Sequence, residues 1–264
     1  MNHNTHTHPS RSTRGTRLGS LFGVAALTLS ASLTGCAAAQ KVGDVAKSSA
    51  GVFAGDHGRE VWIVHPGEAS AEDIAAGFND DIDRATREGA HVKAFILTGG
   101  SAASMTEVKF SSAAGSGDFK PTGSNDIAWK KRAKSYAKAA KVDLARSVRS
   151  AQLDDTTGAD LVGAVARATR AVEDVSGSGP LRVILHTGGG VQRTEALDLV
   201  AAGTDSKAIA DLAEGLPPLG KEGIDLHIKG VAEFGAGPTI DPEFADGVRE
   251  FWTAICTSPT CNLD

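Results

Sequence analysis

Two histidines carry the most pointed chemical possibility in the chain. His65 and His186 each close an apolar run, at the end of a strand where a parallel α/β sheet presents its ligands. Two imidazoles there suit a transition metal or general-base chemistry, with Glu68 as a further group. Two nitrogens are too few for a closed zinc site, and a loop carbonyl beside each ring would satisfy it equally well. Thr98-Gly99-Gly100-Ser101 and Thr187-Gly188-Gly189-Gly190 also follow strands and would offer backbone N–H groups to an anion. Neither is a Walker loop or a GxGxxG opening a helix, so as flexible turns they need no ligand. No Gly-x-Ser-x-Gly elbow occurs, and Gly115-Ser116-Gly117 is loop composition. The residues favour a protein without catalysis and without a cofactor.

The composition narrows the partners. With 41% hydrophobic and 22% charged residues in 264, the chain holds one globular domain plus a shorter segment of another kind. There are 27 basic against 32 acidic residues, a net charge of −5, and no basic block on a nucleic-acid fold, so nucleic acid is excluded as a partner.

Residues 1–17 carry Arg11, Arg14 and Arg17 with no acid, and lead into an apolar run from Leu18 to Leu33. This is the anatomy of a secretory signal, and the run falls short of the roughly 20 apolar residues that span a bilayer. It ends in Leu33-Thr34-Gly35-Cys36, which resembles the lipobox of bacterial lipoproteins. That resemblance implies a diacylglycerol thioether on Cys36, cleavage before it, and anchorage to the outer face of the cytoplasmic membrane, the envelope side. A soluble leader cut near Ala37-Ala38-Ala39 and an uncleaved helix are the alternatives. Cleavage removes three arginines and no acid, taking the net charge from −5 to −8, and it removes His3, His6 and His8. In an oxidising compartment Cys256 and Cys261 are free to pair across Thr-Ser-Pro-Thr, the alternative being two free thiols in a frayed tail. So short a loop limits a bridge to about 2 kcal/mol or less.

The elements that must position these groups follow from periodicity. Strands are expected at Val61–His65, Val92–Thr98, Leu181–Thr187 and Ile224–Val231, with a shorter one at Glu107–Phe110. Ile74, Phe78 and Ile82 form one helical stripe behind Ser70-x-x-Asp73, and Leu161, Val165, Ala168 and Val172 a second behind Thr157-x-x-Asp160. A last helix opens at Asp241-Pro242 and buries Phe244, Val248, Trp252 and Ile255. After a Gly- and Ser-rich loop over 115–125, one long helix is expected over 126–150, with Ile127, Tyr136, Ala140, Leu144 and Val148 toward the sheet. Its other side holds Lys130, Lys131, Arg132, Lys134, Lys138, Lys141, Arg146 and Arg149 against Asp126 and Asp143. That is a solvated face, or one that rests on anionic head groups. The pattern predicts an α/β fold, a doubly wound, mostly parallel sheet flanked by helices, Rossmann-like in class.

With Gly158-Ala-Asp-Leu-Val-Gly-Ala-Val-Ala-Arg-Ala, Leu181-Arg-Val-Ile-Leu-His-Thr-Gly-Gly-Gly and Phe251-Trp-Thr-Ala-Ile-Cys256 in that order, the chain resembles a von Willebrand factor type A (VWA) domain over roughly 59–257. More narrowly it is similar to the VWA-like regions of actinobacterial envelope lipoproteins. The resemblance implies a metal-ion-dependent adhesion site fed by an Asp-x-Ser-x-Ser after the first strand, a Thr in a middle loop and an Asp after the fourth. Here those positions hold His65, Gly67 and Ala69, then Thr157 with Asp160, then Thr187. Neutral side chains at both carboxylate positions predict a degenerate rim that does not hold Mg²⁺. The organisation expected is a signal peptide over 1–35, a tether over 36–58, the VWA-like domain over 59–257 and a tail over 258–264. The function implied is a non-catalytic protein-binding or scaffolding module with an envelope protein as partner. A solute- or anion-binding protein using the glycine-rich strand ends is the alternative, and a hydrolase the third reading.

Overall fold

The computed structural model describes residues 57–67, 70–101, 104–120, 126–151, 158–234 and 240–264. The leader, Cys36 and most of the expected tether lie outside them. Strand and helix alternate as β1 (Arg59–Val64), α1 (Ala71–Gly77), α2 (Asn79–Glu88), β2 (His91–Leu97), β3 (Met105–Glu107), α3 (Asp126–Ser150), α4 (Leu161–Ala171), β4 (Leu181–Gly189), α5 (Ser206–Asp211), β5 (Ile224–Val231), α6 (Pro242–Ile255) and β6 (Cys261–Leu263). The strands form one sheet in the order 3-2-1-4-5-6, parallel throughout except where β3 runs against β2. The order reverses between β1 and β4, so the loops after those two strands meet at the switch point of the sheet. Among the described residues no helix is long and apolar enough to cross a membrane.

Period-two alternation sends Val61, Ile63, Val183, Leu185, Leu226 and Ile228 to one face, where they pack against Leu161 and Val165 of α4 and Val248, Phe251 and Trp252 of α6. On the other face Trp62, Val64, Ala94, Ile96 and Ile184 meet Ile74, Phe78 and Ile82, and beyond them Trp129, Tyr136, Ala140 and Leu144 of α3. Each such side chain contributes about 1.5–3 kcal/mol on burial.

Several local signals act as the sequence predicts. The Ser70 hydroxyl accepts from the Asp73 N–H and caps α1, Asp241 caps α6 ahead of Pro242, and Gly89 ends α2 in the left-handed region. Cys256 and Cys261 are joined in a disulfide that ties the end of α6 to the start of β6.

Five expectations need correction. The stripe through Ile74, Phe78 and Ile82 is two helices that meet at Phe78, whose backbone (φ −89°, ψ 1°) leaves the helical region, while Gly77 passes so close to His186 that a Cβ there would lie 2.5 Å from its Nε2. The second stripe starts at Leu161 as expected, but its cap is Asp160, whose carboxylate accepts from the Gly163 N–H, and Thr157 lies outside the described residues. The short strand is Met105–Glu107, two residues earlier than expected, where its backbone finds β2. Residues 258–264 are no simple tail, because Cys261–Leu263 pair in parallel with Leu226–Ile228. Ile127 faces away from the sheet and is 80% exposed, as it lies on the side of the helix opposite the Trp129–Ala133–Tyr136 stripe that does the packing.

Candidate functional site

The switch point brings together the loops predicted to carry chemistry, and it joins them as a seam. The His65 backbone N–H donates to the His186 carbonyl at 2.9 Å. Gly67 and Gly188 both have positive φ, and their backbones touch: a Cβ on Gly67 would lie 2.5 Å from the Gly188 carbonyl oxygen, and one on Gly188 2.4 Å from that of His65. Only glycine fits both positions without strain. The His65 ring is buried, and its Nδ1–H donates to the Leu97 carbonyl at 3.3 Å. Thr187 is fully buried, and its hydroxyl stands 2.8 Å from the Gly230 carbonyl and 3.1 Å from that of Lys229.

The loop before α4 closes against the segment after β4 in the same way. The Gln192 amide donates to Asp160 Oδ1 at 3.2 Å and accepts from the Val162 N–H at 3.0 Å. The Ala159 and Arg193 backbones exchange hydrogen bonds with Val191 and Ala159. His65, Gly67, Asp160 and Thr187 are therefore placed in the structure as links between loops. Ala69, Thr157 and Glu68 lie outside the described residues. Among the described residues no three His, Cys, Asp or Glu side chains are grouped to hold a metal ion.

His186 belongs to a different environment from His65. Its ring packs on Phe78 at 5.6 Å between centroids, beside Gly77 and Gly230. Its Nδ1 is buried and has no hydrogen-bond partner among the described residues. Burial pushes its pKa below the usual histidine value, with Glu233 and Asp81 pulling it up and Lys229 pulling it down.

From His186 outward, the same sheet face becomes polar. Register places Glu60, Arg182 and Asp225 side by side across β1, β4 and β5, and His227 beside Asn262 of β6. Glu60 is buried and receives both Arg84 nitrogens, at 2.5 and 2.9 Å, together with the Trp62 indole N–H at 2.8 Å. Burial alone would lower the Arg84 pKa, and the Glu60 hydrogen bond and charge more than reverse this, raising it. Arg182 Nε donates to Asp225 at 2.9 Å, and the Asn262 amide donates to the other Asp225 oxygen at 3.2 Å. His227 stands between two carboxylates, with Nε2 3.2 Å from Asp225 and Nδ1 2.8 Å from Asp264. Lys229 reaches across to Asp81 at 2.8 Å. Burial would raise the Asp225 carboxyl, but the Arg182 hydrogen bond and the His227 charge outweigh it and hold the group below its ordinary range.

Arg182, Asp225, His227, Lys229 and Asn262 are half-exposed. The sequence signal for this face was available in Ile224-Asp-Leu-His-Ile-Lys229, where strict alternation marks a strand covered on one side only.

A second exposed feature runs along α3. Its outer face borders an open groove of about 350 Å³ lined by Ser111, Ser135, Lys138, Val142, Asp143 and Arg146. The buried Asp143 carboxylate accepts from the Ser111 hydroxyl at 2.7 Å and the Ser111 N–H at 2.9 Å, and pairs with Arg146 at 3.2 Å. Comparison with family models, curated proteins and solved structures found no match to this chain.

Proposed function

We propose that this is an exported envelope protein, anchored through lipid on Cys36, whose VWA-like domain is a non-catalytic module for binding or scaffolding another envelope protein. The observation that carries the reading is the uncovered polar face of β4, β5 and β6. It mixes both signs of charge, and its groups are already paired: Arg182 with Asp225, His227 with Asp225 and Asp264, Lys229 with Asp81. Groups fixed in this way lose little freedom when a partner docks. The contacts between the loops after β1 and β4 support the same reading, since their polar groups are used to join loops. The 3-2-1-4-5-6 strand order is compatible with a VWA-like domain, as with other Rossmann-like folds.

The test is a photo-crosslinking amino acid at Asn262, compared with one at the exposed Thr253 on α6, in cells carrying the full chain. A discrete protein adduct at 262 and none at 253 is the expected result. Equal labelling at both positions, or none at 262, would sink the reading. Fatty-acid labelling of the wild type against Cys36→Ala addresses the anchor separately, and equal incorporation in both would refute it.

A further inference from the structure

The basic side of α3 is not uniformly solvated charge. Of its cations, Lys130 pairs with Asp126 at 2.7 Å, Lys141 with Asp83 at 3.1 Å, Arg146 with Asp143 at 3.2 Å, and Arg149 with Glu72. Arg132 lies over the Tyr136 ring at 5.8 Å. Lys131, Lys134 and Lys138 have no ion-pair partner among the described residues, and all three are exposed. They fall on one line of the helix, and Ile127 and Val142 stand on that line at its two ends, spaced 127, 131, 134, 138, 142. Ile127 is 80% exposed and Val142 50%, and both are among the few large apolar side chains the described surface leaves open. A helix of 25 residues is about 37 Å long, so the line is a straight ridge.

This ridge is cationic in a chain whose net charge is −5, so it is a local feature and not the overspill of a basic protein. Cations in line with exposed aliphatic side chains on a convex helix fit a plane of anionic head groups. Phosphates meet the ammonium groups, and the aliphatic ends enter the boundary with the acyl chains. Beside Val142 the groove continues the ridge with Lys138 and an apolar wall. The Asp143 charge inside the groove is already met by Arg146 and two Ser111 donors.

We infer that α3 is a membrane-docking surface: Lys131, Lys134 and Lys138 engage the phosphates of anionic phospholipid, and Ile127 and Val142 insert at the head-group boundary. The inference rests on the membrane-tethered reading only for which membrane the helix meets. Docking sets the domain's orientation relative to the bilayer.

The experiment uses the full chain with Cys36→Ser, which removes the lipid, and an environment-sensitive fluorophore on Val142→Cys or, as control, Thr253→Cys. Vesicles of phosphatidylcholine with and without 50% phosphatidylglycerol are added, with sedimentation followed in parallel. A blue shift at 142 and none at 253 is expected, confined to the phosphatidylglycerol vesicles and abolished by 0.5 M salt. Lys131→Glu with Lys134→Glu and Lys138→Glu should raise the half-saturating lipid concentration about tenfold or more, with an unchanged circular dichroism spectrum. The salt arm needs no variant. No shift at 142, an equal shift on pure phosphatidylcholine, or an undiminished shift after the triple reversal would overturn the inference. Binding of polyglutamate at the ridge with no shift on vesicles would assign it to an acidic protein and would also overturn it. The mass of the wild-type chain reports lipidation of Cys36 independently, so the loss of one idea does not read as the loss of the other.

Discussion

One face of this sheet is two surfaces. Over β1 and β2 it holds Trp62, Val64, Ala94 and Ile96, sealed beneath α1, α2 and α3. Over β4, β5 and β6 it holds Arg182, Asp225, His227, Lys229 and Asn262, half-exposed and linked in ion pairs and hydrogen bonds. The strand geometry is the same in both halves, so the difference comes from what covers them. Glu60 and Arg84 mark the junction, where a buried carboxylate is matched by a bidentate guanidinium at the edge of the apolar half. The covered half holds the fold together, and the uncovered half is available for recognition.

That contrast can be broken by substitution, with the largest effect in the covered half. Trp62→Ala empties a fully buried site and should cost about 4 kcal/mol in chemical denaturation. A loss under about 1 kcal/mol would show that this half is not the core. Glu60→Ala takes from the part-buried Arg84 its bidentate partner, leaving Glu88 and Asp81, and strands the Trp62 indole N–H, so about 2 kcal/mol is expected from the same measurement. A neutral result there would mean the junction is solvated.

The pH response sharpens the comparison at His186, where the two halves meet. Burial lowers its pKa in the folded state, so below the ordinary histidine value of about 6.5 the unfolded chain binds more protons than the folded one. Stability should therefore be complete above that pH and fall as the pH drops below it. His186→Leu should make this fall shallower, leaving the contribution of His91, which is also lowered mainly by burial. Identical slopes in the two proteins would contradict the assignment. The smallest effect belongs to the open half: His227→Ala should change stability by less than about 1 kcal/mol, since its two carboxylate contacts are partly exposed. A loss above about 2 kcal/mol would place His227 in a core.

Much of this architecture was legible in the sequence because it depends on local signals. Consecutive apolar residues such as Ala94-Phe95-Ile96-Leu97 announced strands within a layered fold, and Ser70, Asp241 and Gly89 marked helix ends through chemistry confined to a few residues. What escaped depended on contacts between distant segments. The close packing of Gly77 on His186 joins segments more than a hundred positions apart, and Cys261–Leu263 become a strand only by pairing with β5. Ile127 stands nine residues before Tyr136, half a turn round the helix, so the 3.6-residue period itself sets it opposite the stripe that the core accepts. At the switch point the sequence correctly identified which loops converge, but side chains such as Thr187 looked available because their buried acceptors, the Lys229 and Gly230 carbonyls, belong to another strand.

The central claim is that the uncovered face of β4–β6 is where the protein meets its partner, and hydroxyl-radical footprinting tests it most directly. The purified chain is compared with the same chain in its native membranes, and modification is quantified at His227 and Leu263 against Phe244 on α6. The account predicts that His227 and Leu263 become protected in the membranes while Phe244 is modified equally in both. Unchanged modification at His227 and Leu263 would contradict it.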